Sequence, residues 1–304
     1  MTQSSTFSVL ICTFNRHELL RRTLGALIEQ TIEKPNEIIV VNAGDERADQ
    51  VVGEFARRCG VRVHLTKTVN RGPAANRNHG LHLCIGDIVA ITDDDAEVSP
   101  DWVTQMKRIH AGHPEAGAVG GKIIGITSNE NFVSQLFDTA YFPSWTEPTY
   151  VTTLPTVNIS YKRDVLEKLG PFDENLVMGE DVDYNWRVQQ LGYRIFYHPA
   201  IQVRHHNPSS LFSFWRRYYT AGRYYHQVRR KWPEMYCVYP QGLHRPKDVL
   251  KYLNFCISIL YEPFLAANRL ERFSDKVRAV PVLMVTQALW KTGMIVQMLQ
   301  NLFT

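Results

Sequence analysis

A chain of 304 residues with 44% hydrophobic and 21% charged side chains has the composition of an ordinary globular protein and argues against a disordered chain. Its length is enough for one large domain, or for a domain with an appendage. The formal net charge of +4 is small, but the positive charge is concentrated, because no Asp or Glu occurs from Tyr184 to Pro233. A block of one charge sign favours an anionic partner, either phosphates or an acidic lipid surface.

The cysteines are odd in number and lack the spacing of metal ligands, so we expect reduced core residues in a cytosolic compartment. They are Cys12, Cys59, Cys84, Cys237 and Cys256. The N-terminus shows no charged region followed by an apolar region, and we therefore expect no secretion signal.

Strands and helices alternate over the first 115 residues. The predicted strands are Phe7–Cys12, Glu37–Val41, Val61–Thr66 and Ile88–Ile91, and the predicted helices are His17–Gln30, Val51–Cys59 and Pro73–Cys84. Such alternation predicts a parallel, doubly wound sheet. In sheets of this kind ligands bind outside the carboxyl ends of the strands, where the polar turns of this chain collect.

The fourth strand runs directly into three carboxylates, Asp93, Asp94 and Asp95. Because alternate residues of an extended segment point the same way, Asp93 and Asp95 can converge on a hard cation such as Mg²⁺ or Mn²⁺, while Asp94 turns aside. The alternative is a solvated acidic turn that caps the next helix, with Ser99 as its N-cap and Pro100 as its first residue.

The pattern becomes less regular after residue 115. We expect a Gly-rich strand over 116–126, an irregular aromatic segment over Asn129–Thr153 that lines a substrate cleft, strands at Val157–Tyr161, Tyr193–Tyr197 and Ala200–Arg204, and helices at Arg163–Leu169 and Glu180–Leu191.

The tail from Ser209 is helical by composition, with aromatic side chains interleaved among arginines from Phe212 to Trp232. Two apolar stretches follow, Leu253–Ala267 and Ala279–Leu299. They are compatible with amphipathic helices at a membrane interface, with helices packed on the first domain, or with membrane spans.

Five segments of the chain, taken in their order, carry a resemblance to a known family. They are SVLICTFNR, NRGPAANRNHG, ITDDDAEVSPDW, GPFDENLVMGEDVDYNWRVQQLGYRI and the V-x-H of Val203 to His205. Together they resemble the family-2 inverting glycosyltransferases of the GT-A fold, over Ser8 to about His206. The resemblance implies an α/β fold with a doubly wound, mostly parallel sheet: a Rossmann-like nucleotide-sugar half (1–115), an acceptor half (116–208) and a helical extension (209–304).

The resemblance also implies residues that contact the nucleotide or the substrate. These are Thr13, Asn15, Arg16, Asn42, Arg77, Asp93, Asp94 and Asn158. Arg77 would reach the base or the diphosphate, and Asn158 would lie on the acceptor side. Asn42 is a departure, because family members usually carry acids in this turn, one of which contacts uracil. The base of the donor is therefore left open.

The metal ligands implied by the resemblance are Asp93, Asp95 and His205, and the catalytic pair is Glu180 and Asp181. Asp181 would be the general base, with Glu180 directed towards acceptor hydroxyls. The alternatives are a strand-end histidine satisfied by the protein, and first-turn acids that complement a helix dipole.

These features predict a metal-dependent inverting glycosyltransferase that moves a sugar from a nucleotide-diphosphate donor to a hydroxyl of a glycan or lipid-linked acceptor, in polysaccharide or glycolipid synthesis. We expect it in the cytoplasm, peripheral at the inner face of the membrane. Two alternatives are a catalytically decayed nucleotide- or glycan-binding relative and a nucleotidyltransferase, although CTFNR lacks a Gly-rich, Lys-bearing phosphate loop. Nucleic acid is a disfavoured partner, because the basic block has no recognised binding motif.

Overall fold

The structure is a computed structural model that describes residues 5–57, 60–235 and 246–301, apart from the side chains at 247, 248 and 252. It divides into two compact units, the first formed by Met1–Ile126 with Pro143–His206 and the second by Thr127–Phe142 with Asn207–Thr304. Cys12 and Cys84 are free thiols of the first unit. Cys256 is also free but exposed, so the expectation of a core position is wrong there, and Cys59 and Cys237 lie outside the described residues.

The strands, all in the first unit, are β1 (Phe7–Thr13), β2 (Glu37–Asn42), β3 (Arg62–Lys67), β4 (Ile88–Asp93), β5 (Ala96–Val98), β6 (Ala116–Gly125), β7 (Thr149–Val151), β8 (Ile159–Lys162) and β9 (Arg194–His205). The helices along the chain are α1 (His17–Gly25), α2 (Arg47–Ala56), α3 (Pro73–Leu81), α4 (Trp102–Gly112), α5 (Phe132–Ala140), α6 (Arg163–Leu169), α7 (Glu180–Gln190), α8 (Leu211–Lys231), α9 (Pro246–Ala267) and α10 (Phe273–Gln300). A π-helical turn, Ala26–Gln30, extends α1, and a 3₁₀ turn, Thr156–Asn158, precedes β8.

The strands form one sheet in the order β3-β2-β1-β4-β8-β6-β9-β5, with β7 beside β9. Strands β3, β2, β1 and β4 are mutually parallel. Strand β8 is antiparallel to both β4 and β6, and β6 is parallel to β9, so β6 and β9 run in the same direction as the first four strands. Six of the nine strands in the described chain therefore share one direction, which confirms the mostly parallel α/β fold.

The strands at the centre of the parallel half are buried on both faces. Every residue of β2 is buried, as are all but one residue in each of β1 and β4, whereas β3 at the sheet edge is largely accessible. A strand covered on both faces needs apolar residues throughout, and this is why the first, second and fourth strands stand out as uninterrupted apolar runs.

The acidic turn forces the sheet to curl. Three residue steps separate Asp93, the end of β4, from Ala96, the start of β5, and can cover at most about 11 Å. In the sheet, β5 lies four strand positions from β4, a distance of roughly 19 Å if the sheet were flat. The sheet must therefore bend back on itself, and this bend brings β9 to the end of β4.

Several predicted boundaries are wrong. Helix α4 begins at Trp102 and not at Pro100, because Ser99 Oγ donates to Asp101 Oδ1 at 3.0 Å and the Trp102 N–H bonds the Ser99 carbonyl in a tight turn. The segment expected to be irregular, Asn129–Thr153, contains α5 and β7. The two strands predicted near the end of the domain are one strand, β9, whose pairing with β6 shifts register at Gly121/Lys122.

The second unit is helical, as the tail composition predicts. Its aromatic side chains cluster where α5 meets α8: Phe137 stacks on Tyr141 with 4.4 Å between ring centroids, and Phe214 lies 6.0 Å from Phe137. Among the described residues, Val249–Ala267 and Phe273–Gln300 are long and apolar enough to cross a membrane, by length and composition alone.

Candidate active site

Three parallel strands end together and define one edge of the first unit. Thr13 at the end of β1 pairs in register with Asn42 at the end of β2, and Cys12 pairs with Asp93 at the end of β4. The polar turns that follow these strands therefore share one crevice, as expected for a parallel sheet.

Asp93, Asp95 and His205 form a compact cluster, in which one possible ligand atom from each residue lies within 4.8 Å of the others. The pairing of β5 with β9 creates it, because Ala96 is the register partner of His205. His205 Nε2 consequently lies 3.3 Å from Asp95 Oδ1, and the backbone N–H of His206 donates to the Asp95 carbonyl at 3.1 Å. Two carboxylates and an imidazole make a donor set that suits a divalent cation such as Mn²⁺.

Asp94 faces the protein and not the cluster. It is 3% exposed, and its Oδ2 accepts a hydrogen bond from Thr13 Oγ1 at 2.7 Å. Burial raises the pKa of Asp94 to about 7, although the Arg16 guanidinium 3.3 Å away and the Thr13 hydroxyl oppose the shift. Arg16 also contacts the Asp95 carboxylate and keeps half of its side chain exposed, so its charge borders the cluster of Asp93, Asp95 and His205 from the solvent side.

Arg77 links Asp93 of this cluster to helix α7. Its Nη1 lies 2.5 Å from Glu180 Oε1 and its Nη2 3.4 Å from Asp93 Oδ1. The guanidinium is buried and lies 5.9 Å from the centre of the Phe172 ring. The sequence predicted that Arg77 reaches the base or the diphosphate; the structure instead shows its guanidinium between two carboxylates, and a ligand contact remains a proposal.

A close contact between α3 and the sheet places Arg77 at this point. Gly80, one turn further along α3, packs against Leu10 of β1 and Val41 of β2. A Cβ there would lie 2.3 Å from Leu10 Cδ1 and 2.7 Å from Val41 Cγ2. A larger residue would require the buried Leu10 and Val41 side chains to shift, so glycine favours this close approach of the helix that carries Arg77.

Asp181 lies in the first turn of α7, directly after Glu180. The residue before the helix, Gly179, is its N-cap and has a φ of 84°, which is readily adopted only by glycine. Asp181 is partly exposed, and its Oδ1 accepts a hydrogen bond from the Val182 N–H at 2.8 Å. Desolvation by the surrounding protein and the neighbouring Glu180 charge raise the pKa of Asp181 to about 7, while Arg77 opposes the shift. A carboxylate that titrates near neutral pH suits a general base.

Asn42 and Asn15 organise the two turns beside the crevice. Asn42 Nδ2 donates to the Asp45 carbonyl at 2.8 Å and to Asp49 Oδ1 at 2.7 Å, and its Oδ1 accepts from the Gly44 N–H. Asn15, at a φ of 58°, accepts a hydrogen bond from the Asp45 N–H at 2.9 Å. With Asn42 engaged in this way, Asp45 is the more accessible polar side chain of the turn, paired with Arg47 at 2.5 Å.

Asn158 is fully buried. Its Oδ1 accepts from Trp102 Nε1 at 2.9 Å, and its Nδ2 donates to the carbonyls of Lys122 and Ile201 at 3.0 and 3.2 Å. These bonds tie α4, β6 and β9 together behind the cleft, so they support a structural role and add no support for direct contact with an acceptor.

Sequence reasoning missed the pairing of Arg77 with Glu180, although both residues were candidates. They are 103 positions apart, and no local pattern signals a contact over that separation. It also missed the hydrogen bond between Thr13 and Asp94, which the parallel arrangement of β1 and β4 makes possible.

Comparison with known proteins identifies the family of this chain. Residues 8–170 match the family model for glycosyl transferase family 2. The chain is 31% identical over 216 residues to the glucosyl-dolichyl phosphate glucuronosyltransferase of Haloferax volcanii, a match that covers 65% of this chain and 68% of that protein. It is 28% identical over 225 residues to the probable glycosyltransferase YdaM of Bacillus subtilis, covering 69% of this chain and about half (53%) of that protein.

The fold is similar to that of the mannosyltransferase PcManGT from Pyrobaculum calidifontis, solved in complex with GDP-Man and Mn²⁺. The TM-score is 0.66 over 99% of this chain and 88% of that chain, at 18% sequence identity. The mostly parallel, curled sheet therefore has the GT-A-type fold of this neighbour. This chain belongs to glycosyl transferase family 2.

We predict that replacing Arg77 by Met lowers the free energy of unfolding by about 3–5 kcal/mol, because the change leaves the buried Glu180 carboxylate without its cation. Urea denaturation measures the change. Arg47→Met is the matched control: Arg47 pairs with Asp45 at the surface, where such a pair contributes little, so we expect no measurable effect. Equal midpoints for the two variants would contradict a structural role for the Arg77 bridge.

Proposed function

We propose that this enzyme is a metal-dependent inverting glycosyltransferase that uses a nucleotide-diphosphate sugar as donor. The observation that carries the proposal is the continuous chain of contacts from Asp93 through Arg77 to Glu180. This chain of contacts supports one site that includes both the cluster suited to a metal and the carboxylate of Asp181, whose pKa is raised to about 7. A displacement reaction would need both groups, the metal site at the departing diphosphate and the Asp181 carboxylate at the attacking hydroxyl.

The donor set of Asp93, Asp95 and His205 supports a divalent cation, and PcManGT, the structural neighbour, was solved with Mn²⁺. When bound, such a cation stabilises the negative charge that develops on a departing diphosphate. Arg16, half exposed beside Asp95, is positioned to add a second positive charge on the phosphate side.

The remaining chemistry belongs to side chains of this protein. Asp181 accepts the proton of the acceptor hydroxyl, whose oxygen attacks the anomeric carbon of the sugar. The bond from that carbon to the diphosphate oxygen breaks, and the nucleoside diphosphate leaves with the bonding electrons. Attack from the face opposite the leaving group inverts the anomeric configuration. A positioned general base contributes about 10²–10⁴-fold to such a step.

We further propose that residues 1–208 form the glycosyltransferase domain, with a nucleotide-sugar half (1–115) and an acceptor half (116–208), followed by the extension 209–304. The acceptor is a glycan or a lipid-linked saccharide, as the name of the Haloferax relative suggests for that protein. Helix α8 carries six basic and no acidic residues, which supports a cytoplasmic location in contact with an anionic membrane face.

We expect nucleoside diphosphates to raise the melting temperature in the presence of Mn²⁺ and much less in its absence, because a ligand that binds the native state stabilises it. Asp95→Asn should lose most of the Mn²⁺-dependent shift, since one ligand carboxylate is gone. Asp164→Asn, an exposed position on α6, is the control and should behave as the parent. An equal shift with and without Mn²⁺ in the parent would contradict the metal assignment.

Replacing Asp181 by Asn should leave the donor-induced thermal shift nearly intact and reduce turnover by about 10²–10⁴-fold, the typical contribution of a general base. In the parent, turnover should rise as the pH increases through about 7, the pKa of Asp181, because only the ionised carboxylate accepts a proton. Initial rates across the pH range measure both effects.

A stability measurement separates this loss from misfolding. The pKa of Asp181 is raised from 3.8 to about 7, so the folded protein retains a proton that the unfolded chain has lost between these values. The contribution of Asp181 to stability therefore falls as the pH rises through this window. Asp181→Asn removes the penalty and should melt at a higher temperature than the parent at pH values above 7. Unchanged turnover in this variant would exclude Asp181 as the base.

A further inference from the structure

Helix α9 exposes large apolar side chains along its length. Leu250, Leu253, Ile257, Leu260 and Phe264 are between 52% and 68% exposed. Their spacing of three, four, three and four residues places them on one face of the helix. We call this face the α9 stripe.

Helix α10 has a comparable surface. Phe273, Val277, Val285, Ile295 and Leu299 are between 42% and 80% exposed. The apolar exposure of the second unit thus extends over both helices, and a water-soluble protein rarely leaves that much apolar surface uncovered.

Two long polar side chains of α10, Lys291 and Gln297, are buried against neighbouring helices. Lys291 is 3% exposed, and its Nζ donates to the Phe255 carbonyl and to Ser258 Oγ while lying 4.4 Å from the centre of the Phe255 ring. Gln297 is 9% exposed and accepts hydrogen bonds from Arg223 Nε and Nη2 at 3.2 and 3.1 Å. Polar groups inside and aliphatic groups outside is the distribution of helices solvated by lipid.

The contact between α8 and α10 is of the same type. Gly222 of α8 lies against the Trp290 carbonyl, and Gly293 of α10 lies against the Tyr219 carbonyl, each so closely that a Cβ would overlap the oxygen. Small residues that let two helix backbones touch stabilise helix pairs by van der Waals packing, which operates where no hydrophobic effect drives association.

Length and charge identify the partner. Helices α9 and α10 have 22 and 28 residues, hence lengths of about 33 and 42 Å, against roughly 30 Å for the hydrocarbon layer of a bilayer. Helix α8 exposes Arg216, Arg217, Arg230 and Lys231 and has no acidic residue. We propose that α9 and α10 insert into the hydrocarbon layer of a membrane, with the α9 stripe on the acyl chains and the α8 cations on anionic phospholipid headgroups.

This proposal goes beyond a peripheral, charge-driven contact and does not depend on the reaction that the first unit performs. A second copy of the chain could cover the α9 stripe alone, in the manner of a coiled coil. Acyl chains are favoured over a second copy because the exposed apolar surface continues onto α10 and because Ser258 of α9 and Lys291 and Gln297 of α10 are buried.

The test is flotation of the purified full chain with vesicles of phosphatidylcholine, with and without phosphatidylglycerol, before and after a high-salt wash. We expect binding that survives high salt in both vesicle types. Leu253→Glu/Leu260→Glu should weaken this salt-resistant binding by on the order of a hundredfold, because ionised side chains partition poorly into hydrocarbon. Arg216→Glu/Arg217→Glu should lower only the additional binding to anionic vesicles at low salt.

The matched control is Ile32→Glu/Val69→Glu, which changes two apolar residues of the first unit that are each 78% exposed; its flotation should equal that of the parent. Leu253→Gln/Leu260→Gln, with good helix formers, should also lose salt-resistant binding, and circular dichroism reports whether each variant folds. Complete release of the parent by salt, or undiminished flotation of both α9 variants, would overturn the proposal. So would a lipid-free dimer in light scattering that the α9 variants abolish, since a second copy would then cover the stripe.

Discussion

The candidate active site depends on the ion pairs made by the buried guanidinium of Arg77. It lies between Glu180 at the start of α7 and Asp93 at the end of β4, two elements that are far apart in the sequence. Removing a cation from such a pair is costly, because a carboxylate then remains buried without compensation. The bridge therefore fixes α7 against the sheet, and α7 carries Asp181. It also opposes the rise in the pKa of Asp181 that burial and Glu180 cause.

A second constraint is the length of the acidic turn. Strand β5 begins three residues after Asp93 and pairs with β9, at the other end of the strand order. The sheet must curl to satisfy both positions, and this curl delivers His205 to Asp95. The cluster of Asp93, Asp95 and His205 is consequently a product of sheet topology, although its residues lie in two separate parts of the chain.

The sequence predicts the parallel half of the fold well, since β1, β2 and β4 are buried on both faces and are therefore continuous apolar runs. It predicts the association of Asp93, Asp95 and His205 only through the family resemblance, because register between β5 and β9 leaves no local signal. The side-chain directions of Asn42 and Asn158 could not be predicted either. Both amides bond inside the protein, and a polar residue at the end of a strand shows the same pattern whether it faces a ligand or the interior.

The helical tail is a second part of the chain that the sequence alone could not interpret fully. Apolar length alone could not separate core helices from membrane helices, and the proposal of membrane helices rests on side-chain positions, chiefly the exposed α9 stripe and the buried Lys291 and Gln297. For the enzyme as a whole, the most direct test of one shared site is an anomalous difference map from crystals grown with Mn²⁺ and a nucleoside diphosphate. A peak in contact with Asp93, Asp95 and His205, with Arg77 still bridging Asp93 and Glu180, is the predicted result. A Mn²⁺ peak away from these three residues, or a helix α7 separated from the metal, would contradict the account.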